Sequence, residues 1–238
     1  MPRNASTAGP SRRRFLKGSL SLIPAVAVMG TGVVRAESAP EPGQAYQPRF
    51  FNSEEWLFLL AACDCLIPDD DNGPGAVAEG VPEFIDRQME TAYGHGGIWY
   101  LQGPFFEAPA ELGHQSRLSP REIYRLGIAA LQRHCRQQFA GKRFQELPRG
   151  RQEELLTQME GGRIAFEACP ASMFFEQLWQ NTREGYLADP IHGGNRSMAS
   201  WRMIGFPGAR ADFTDWVDQP NKAYPQGPVS ISGQRGEL

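Results

Sequence analysis

The sequence predicts an all-α protein, a single domain of about five helices joined by long loops rich in glycine and aromatic residues. Three observations carry that expectation. Apolar residues recur at spacings of three and four in several stretches of twelve or more residues, which is one face of a helix. No stretch gives four or more cleanly alternating residues of β-branched type, so strands are minor at most. The chain has 238 residues, 41% of them hydrophobic, which suits one substantial core and is too short for two or three large ones. The 26 glycines and 19 prolines are scattered between apolar stretches without a repeat, against collagen-like or wholly disordered chains.

The first helix signal opens at Asn52, an N-cap with Glu55 three residues later, and runs through Trp56, Leu57, Phe58, Leu59 and Leu60 to a stop at Pro68. It is apolar nearly all round, which predicts the central buried helix. Residues 80–91 repeat the pattern more weakly, with Pro82 at the start and Phe84, Ile85 and Met89 on one side. Ser119, Pro120 and Glu122 form a capping box with proline at the first helical position. Behind it Ile123, Leu126, Ala130, Leu131, Cys135 and Phe139 keep helical spacing. A fourth helix is expected from about Pro148 to Glu160, ended by Gly161 and Gly162, and a fifth from about Pro170 to the Asp189-Pro190 step. Two segments, 93–118 and 191–217, are predicted irregular. Their aromatics, among them Trp99, Tyr100, Phe105, Phe106, Trp201, Phe206, Phe213 and Trp216, are too many to leave in water. Residues 218–238 read as an extended or disordered tail, or one laid across a partner.

Charge is unevenly divided. Residues 1–36 contain six basic residues and no acidic one, which leaves 18 basic against 27 acidic residues in 37–238, a net charge of −9. An acidic body without a basic stripe argues against nucleic acid as a partner. The basic end reads as an export leader over residues 1–36: consecutive arginines Arg12 and Arg13, then Phe15, Leu16 and Lys17, then an apolar run from 18 to 34 and a small-residue end at Ala36. That is the form of a twin-arginine signal, followed by a linker over 37–49. The apolar run is 17 residues broken by Pro24, Gly30 and Gly32, short of the roughly 20 apolar residues of a membrane span. Membrane attachment is therefore expected only through partners or an uncleaved leader. The expected address is the periplasm, with the twin-arginine translocase as transient partner.

An oxidising address permits disulfides among Cys63, Cys65, Cys135 and Cys169, whose pairing the sequence leaves open. Cys63 and Cys65, two apart on a helix, point about 200° from each other and should not bridge. No Cys-x-x-Cys-His occurs, which excludes covalent c-type haem in this chain. Asp69, Asp70, Asp71, Asn72 and Gly73 resemble the start of a calcium loop, but glycine falls at the fifth position and Gly80 stands where glutamate belongs, so a solvated turn is the better reading. His95, His114, His134 and His192 include no pair three or four apart, the spacing a helical metal pair needs. His134 reads as a core histidine. Nucleotide-cradling glycine loops and a Gly-x-Ser-x-Gly elbow are also missing. The 189–196 turn brings Asp189, His192, Asn195 and Arg196 together among glycines, and is the one place a stand-alone oxidoreductase or sugar-binding protein would use.

These blocks together are similar to one family. The leader, the Phe51-Asn52-Ser53-Glu54-Glu55-Trp56 opening, Gly73-Pro74-Gly75-Ala76, Val81-Pro82-Glu83-Phe84-Ile85-Asp86, Gln102-Gly103-Pro104-Phe105, and above all Asp189-Pro190-Ile191-His192-Gly193-Gly194-Asn195 with Gly205-Phe206-Pro207-Gly208-Ala209-Arg210 resemble the gluconate 2-dehydrogenase subunit 3 family. The likeness covers about residues 50–217, the predicted helical domain. Cys65 departs from it, standing where a charged residue such as arginine is expected. The resemblance implies a non-catalytic small subunit of a membrane-bound, flavin-dependent dehydrogenase complex. An FAD-carrying large subunit oxidises the sugar acid, a multihaem cytochrome c passes electrons onward, and this chain binds the large subunit and assists its maturation and export. No cofactor or metal is then expected in this chain. The expected partner interface includes Trp99, Phe105, Asp189, His192, Asn195, Trp201 and Phe206.

Overall fold

The computed structural model describes residues 46–99, 101–106, 116–222 and 224–236. The leader, most of the linker, Tyr100 and His114 lie outside the described residues. Among the described residues there are six α-helices and no strand, only isolated bridges. We number them α1 (Ser53–Leu66), α2 (Val81–Met89), α3 (Pro120–Gln138), α4 (Arg149–Glu160), α5 (Ala171–Leu187) and α6 (Ala199–Ile204).

The first five stand where the sequence places them, because their ends are written locally. Asn52 and Glu55 cap α1 reciprocally, each side chain accepting the other's backbone N–H at 3.0 Å. The Glu122 carboxylate accepts the backbone N–H of Ser119 at 2.8 Å and its hydroxyl at 2.7 Å, closing the start of α3. α6 is a difference from the sequence reading, since it lies inside a segment expected to be irregular. Only six residues long, it starts and stops at left-handed Met198 (φ 57°) and Gly205 (φ 70°), too short to give a periodic signal.

The central helix is α5 rather than α1. α2, α3, α4 and α6 all pack on α5, whereas Leu57 of α1 stands 46% exposed. The reason is size: the buried side of α5 includes Thr182 and Gly185 as well as Phe174 and Leu178. α3 makes the matching concession at Gly127, where a Cβ would fall 2.2 Å from the Phe174 ring. The core shared by these helices holds Phe58, Leu59, Ile85, Tyr124, Leu131, Phe144, Met159, Phe174 and Leu178, all essentially without solvent contact. Interlocked rings such as Tyr124 on Phe174 and Phe58 on Phe144 lie edge to face.

Two carboxylates fasten the chain segments that flank this core. Asp86 of α2 is fully buried and accepts four hydrogen bonds: the Tyr46 hydroxyl at 2.8 Å and the backbone N–H groups of Arg49, Phe50 and Phe51 at 2.8, 3.1 and 3.0 Å. The end of the expected linker is thus part of the packed domain, with Phe50 and Phe51 buried in its core. At the other end the described part of the tail folds back through turns. Ile231 N–H donates to Asp189 Oδ2 at 2.8 Å, Gln234 to the Arg196 carbonyl at 3.1 Å, and Val229 exchanges backbone bonds with Pro207 and Ala209.

Candidate functional site

The 189–196 turn is the feature the sequence singled out, and its geometry explains its composition. Asp189 Oδ1 accepts Ile191 N–H at 3.0 Å and starts a single 3-10 turn over Pro190–His192. The chain then reverses at Gly193 (φ 99°), and Gly194 lies against α5 so closely that a Cβ would sit 2.1 Å from the Gly185 carbonyl oxygen. Asn195 is fully buried with φ 46°; its amide donates to the Ala188 carbonyl at 3.0 Å and accepts the Ser200 hydroxyl at 2.8 Å. Only a short polar side chain tolerates that backbone and satisfies both groups at once.

Below the turn lies a buried ionic cluster that no local sequence pattern announces. Glu79 accepts both the N–H and the hydroxyl of Ser197, at 2.9 and 2.6 Å. Glu83 is shared by Arg87 and Arg196. Both glutamates are at least nineteen-twentieths buried, and such groups persist in a core only when paired and hydrogen-bonded. They join α2 and the residue pair just before it to the turn and Ser197 beyond it, across more than 110 residues of sequence.

The seven residues expected at a partner interface therefore divide. Asn195 and Trp201 are internal: Trp201 is 5% exposed, donates its indole N–H to the Leu187 carbonyl at 2.8 Å and packs edge to face on Phe206 at 5.0 Å. This corrects the expectation for both, since an aromatic in a glycine-rich segment has here a core of its own to fill. Asp189 shapes the turn and holds the tail. Trp99 is half-buried against Tyr93, whose hydroxyl accepts from Gln177 and Asn181 of α5. Phe105, His192 and Phe206 are exposed.

The four cysteines are free thiols, so the pairing left open by the sequence is answered by no bridge. Burial pushes the Cys63 thiol up to about 12 and the Cys65, Cys135 and Cys169 thiols up to about 11, the opposite of what a reactive thiolate needs. Among the described residues no group of three His, Cys, Asp or Glu side chains could hold a metal ion. In the 69–73 turn, Asp70 accepts both the backbone and the side-chain N–H of Asn72, and Asp69 accepts Gly75 N–H at 2.6 Å. His95 sits exposed beside Arg121, and His134 is half-buried. One half-open cleft of about 320 Å³ lies between the start of α1 and α3, lined among others by Glu54, Glu55, Gln132 and Arg136. Its charges answer one another, Glu54 with Arg136 and Arg143, and Glu55 with Arg125.

Large hydrophobic side chains are left exposed in several parts of the chain: Leu57, Val77, Ile98, Phe105, Phe106 and Leu187, and, from the 189–196 turn onward, Ile191, Met203, Ile204, Phe206, Phe213, Val217 and Ile231. No helix among the described residues is long and apolar enough to cross a membrane. The fold and the turn define a class: a helical domain stapled by buried carboxylates, with exposed apolar side chains on its surface. The family model described as Gluconate 2-dehydrogenase subunit 3 matches residues 53–208, well over half of the chain, and the chain belongs to that family. No curated protein and no solved structure matches it.

Proposed function

We propose that this chain is the non-catalytic small subunit of a gluconate 2-dehydrogenase-type complex, which binds an FAD-carrying large subunit and assists its maturation and twin-arginine export to the periplasm. Flavin and haem c then reside in the partner subunits, the latter in a multihaem cytochrome, and the complex reaches the inner membrane through those partners. The observation that carries this reading is the family match over residues 53–208. It falls on a domain in which the Asp189 carboxylate and the Asn195 amide of the turn bond to the fold itself, while Ile191 and Phe206 stand exposed. The alternative of a stand-alone oxidoreductase or sugar-binding protein at the 189–196 turn has less support. Asp189, Asn195 and Ser200 there have their oxygens taken up internally, which leaves little to orient a substrate.

The export part of the proposal rests on Arg12 and Arg13. Replacing both by lysine should strand this chain and the flavoprotein in the cytoplasm, read by fractionation. Normal delivery of the variant would refute the leader assignment.

A further inference from the structure

We propose that the cleft between the start of α1 and α3 is a binding site for a small hydroxy-carboxylic acid, its carboxylate held by Arg133 and Arg136 and its hydroxyls by Asn52 and Glu54. This stands on the cleft itself and goes beyond the subunit reading above, which assigns no ligand to this chain.

The cleft encloses about 320 Å³, at the lower end of the roughly 300–1,000 Å³ of small-molecule sites. One wall is written at helical spacing on α3, where Ala129, Gln132, Arg133 and Arg136 stand three and four apart on one face. Nearby arginines are committed: Arg125 donates to Glu55 and to the Phe50 carbonyl, and Arg143 to Glu54 at 3.2 Å and Glu146 at 2.7 Å. Arg133 and Arg136 are not. Their nearest carboxylates, of Glu167 and Glu54, stand at 3.9 and 3.7 Å, close enough to balance charge but beyond hydrogen-bond reach. Neither guanidinium makes a hydrogen bond among the described residues, so each lines the cleft with its five N–H donors unused. On the facing wall Asn52 Oδ1 accepts the Glu55 N–H at 3.0 Å, while Asn52 Nδ2 donates to no described residue.

The surplus of donors continues behind the α3 wall. Gln132, buried there, accepts the Phe144 N–H at 3.0 Å and donates to Gln145 Oε1 at 2.9 Å, and Gln145 Nε2 is left buried without an acceptor. Donors without acceptors select a ligand made of acceptors. Two guanidiniums one helical turn apart suit a carboxylate, the planar acceptor that the arginine fork matches. The remaining polar groups select hydroxyls. Glu54 Oε2, with nothing nearer than Arg136 at 3.7 Å, can only accept, and Asn52 Nδ2 can only donate; a hydroxyl serves both. The Glu54 and Glu55 carboxylates repel a second acid group or a phosphate dianion, which limits the ligand to one carboxylate. Ile128 and Ala129 offer apolar surface to its carbon chain.

The test is titration calorimetry of the purified full-length chain with sodium D-gluconate, a member of this class and the acid in the family's description, against D-glucose, acetate and sulfate at equal ionic strength. Gluconate should bind about tenfold or more tightly than each of the three. Arg133→Gln with Arg136→Gln should weaken gluconate binding about tenfold or more, with the ligand-free melting transition unchanged. Ala129→Glu, at an exposed helix position, should weaken it as much by placing a like charge in the cleft. Arg151→Gln, outside the cleft lining, should bind as wild type does. The assignment is overturned if wild type binds no gluconate, or if the α3 variants bind it as wild type does, which puts the ligand elsewhere. Equal binding of glucose, of acetate or of sulfate also overturns it, since the carboxylate, the hydroxyls or anything beyond negative charge is then not read. The subunit reading is untouched by these outcomes, because delivery of the flavin-loaded partner tests it separately.

Discussion

Asp189 accepts the backbone N–H of Ile231 at 2.8 Å, a bond between the turn at the end of α5 and a tail residue 42 positions later. The same carboxylate starts the Pro190–His192 turn through Ile191 N–H, so one side chain sets the turn and closes the tail over it. Asp189→Ala should therefore loosen both. The expected stability loss is about 1–2 kcal/mol, with faster amide exchange at Ile231 and earlier tryptic cleavage at Arg235, while the helical body keeps its circular dichroism. Unchanged exchange at Ile231 would show that the tail is held by other bonds.

Asp86 does the corresponding work at the other end, and its four donors make it the more costly group to remove. Asp86→Ala leaves the Tyr46 hydroxyl and three backbone N–H groups without their acceptor, and should cost on the order of 3 kcal/mol. Urea unfolding measures it, and a loss below about 1 kcal/mol would contradict the buried latch.

The same latch has a pH signature. Burial, and then the hydrogen bond to Asp86, hold the Tyr46 phenol well above its ordinary value. Its folded-state pKa is raised, so its contribution to stability is intact below about pH 10, where an unfolded tyrosine begins to ionise, and is lost as pH rises further. Burial also raises Tyr93, Tyr124 and Tyr186. A native alkaline titration should thus show delayed tyrosinate formation, and Tyr46→Phe should weaken the alkaline loss of stability. Ordinary titration of these phenols in the folded chain would contradict the packing around them.

The thiols give a chemical count. Four free cysteines with values raised to about 11 or 12 should react slowly with a disulfide reagent at neutral pH and yield four thiols per chain in denaturant. Two or fewer thiols in denaturant would mean that bridges form after all.

Gly127 sets a sign test. Alanine in the middle of a helix gains about 1 kcal/mol of propensity over glycine, but here its Cβ would meet the Phe174 ring at 2.2 Å. Overpacking of that kind costs about 1–3 kcal/mol. Gly127→Ala should destabilise the chain by thermal melting, and a stabilised variant would show that α3 and α5 can separate without penalty.

Much of the fold was legible because its signals are local. The capping boxes at Asn52 and Ser119, the proline starts and the spacing of Phe174, Leu178 and Thr182 each sit within a turn or two of the helix they define. What escaped were relationships between distant residues. Nothing local marks Glu79, just before α2, or Glu83 and Asp86 within it as buried; Ser197, Arg196 and Tyr46, all distant in sequence, meet them in the fold. Trp201 looked like a surface anchor because nothing nearby in sequence predicts the Leu187 carbonyl that receives its N–H. The turn was found by its composition, Asp, Gly, Gly and Asn, but composition alone did not distinguish residues shaping a backbone from residues meeting a ligand. The tail, polar and glycine-rich, gave no sign of the carboxylate that holds it.

The central claim is that this chain is a subunit needed to deliver a flavin-loaded partner. It is tested most directly by measuring periplasmic dehydrogenase activity and bound flavin of the large subunit expressed with and without this chain. Delivery should collapse without this chain and return when it is supplied. Fully active, flavin-loaded large subunit in the periplasm in its absence would contradict the account.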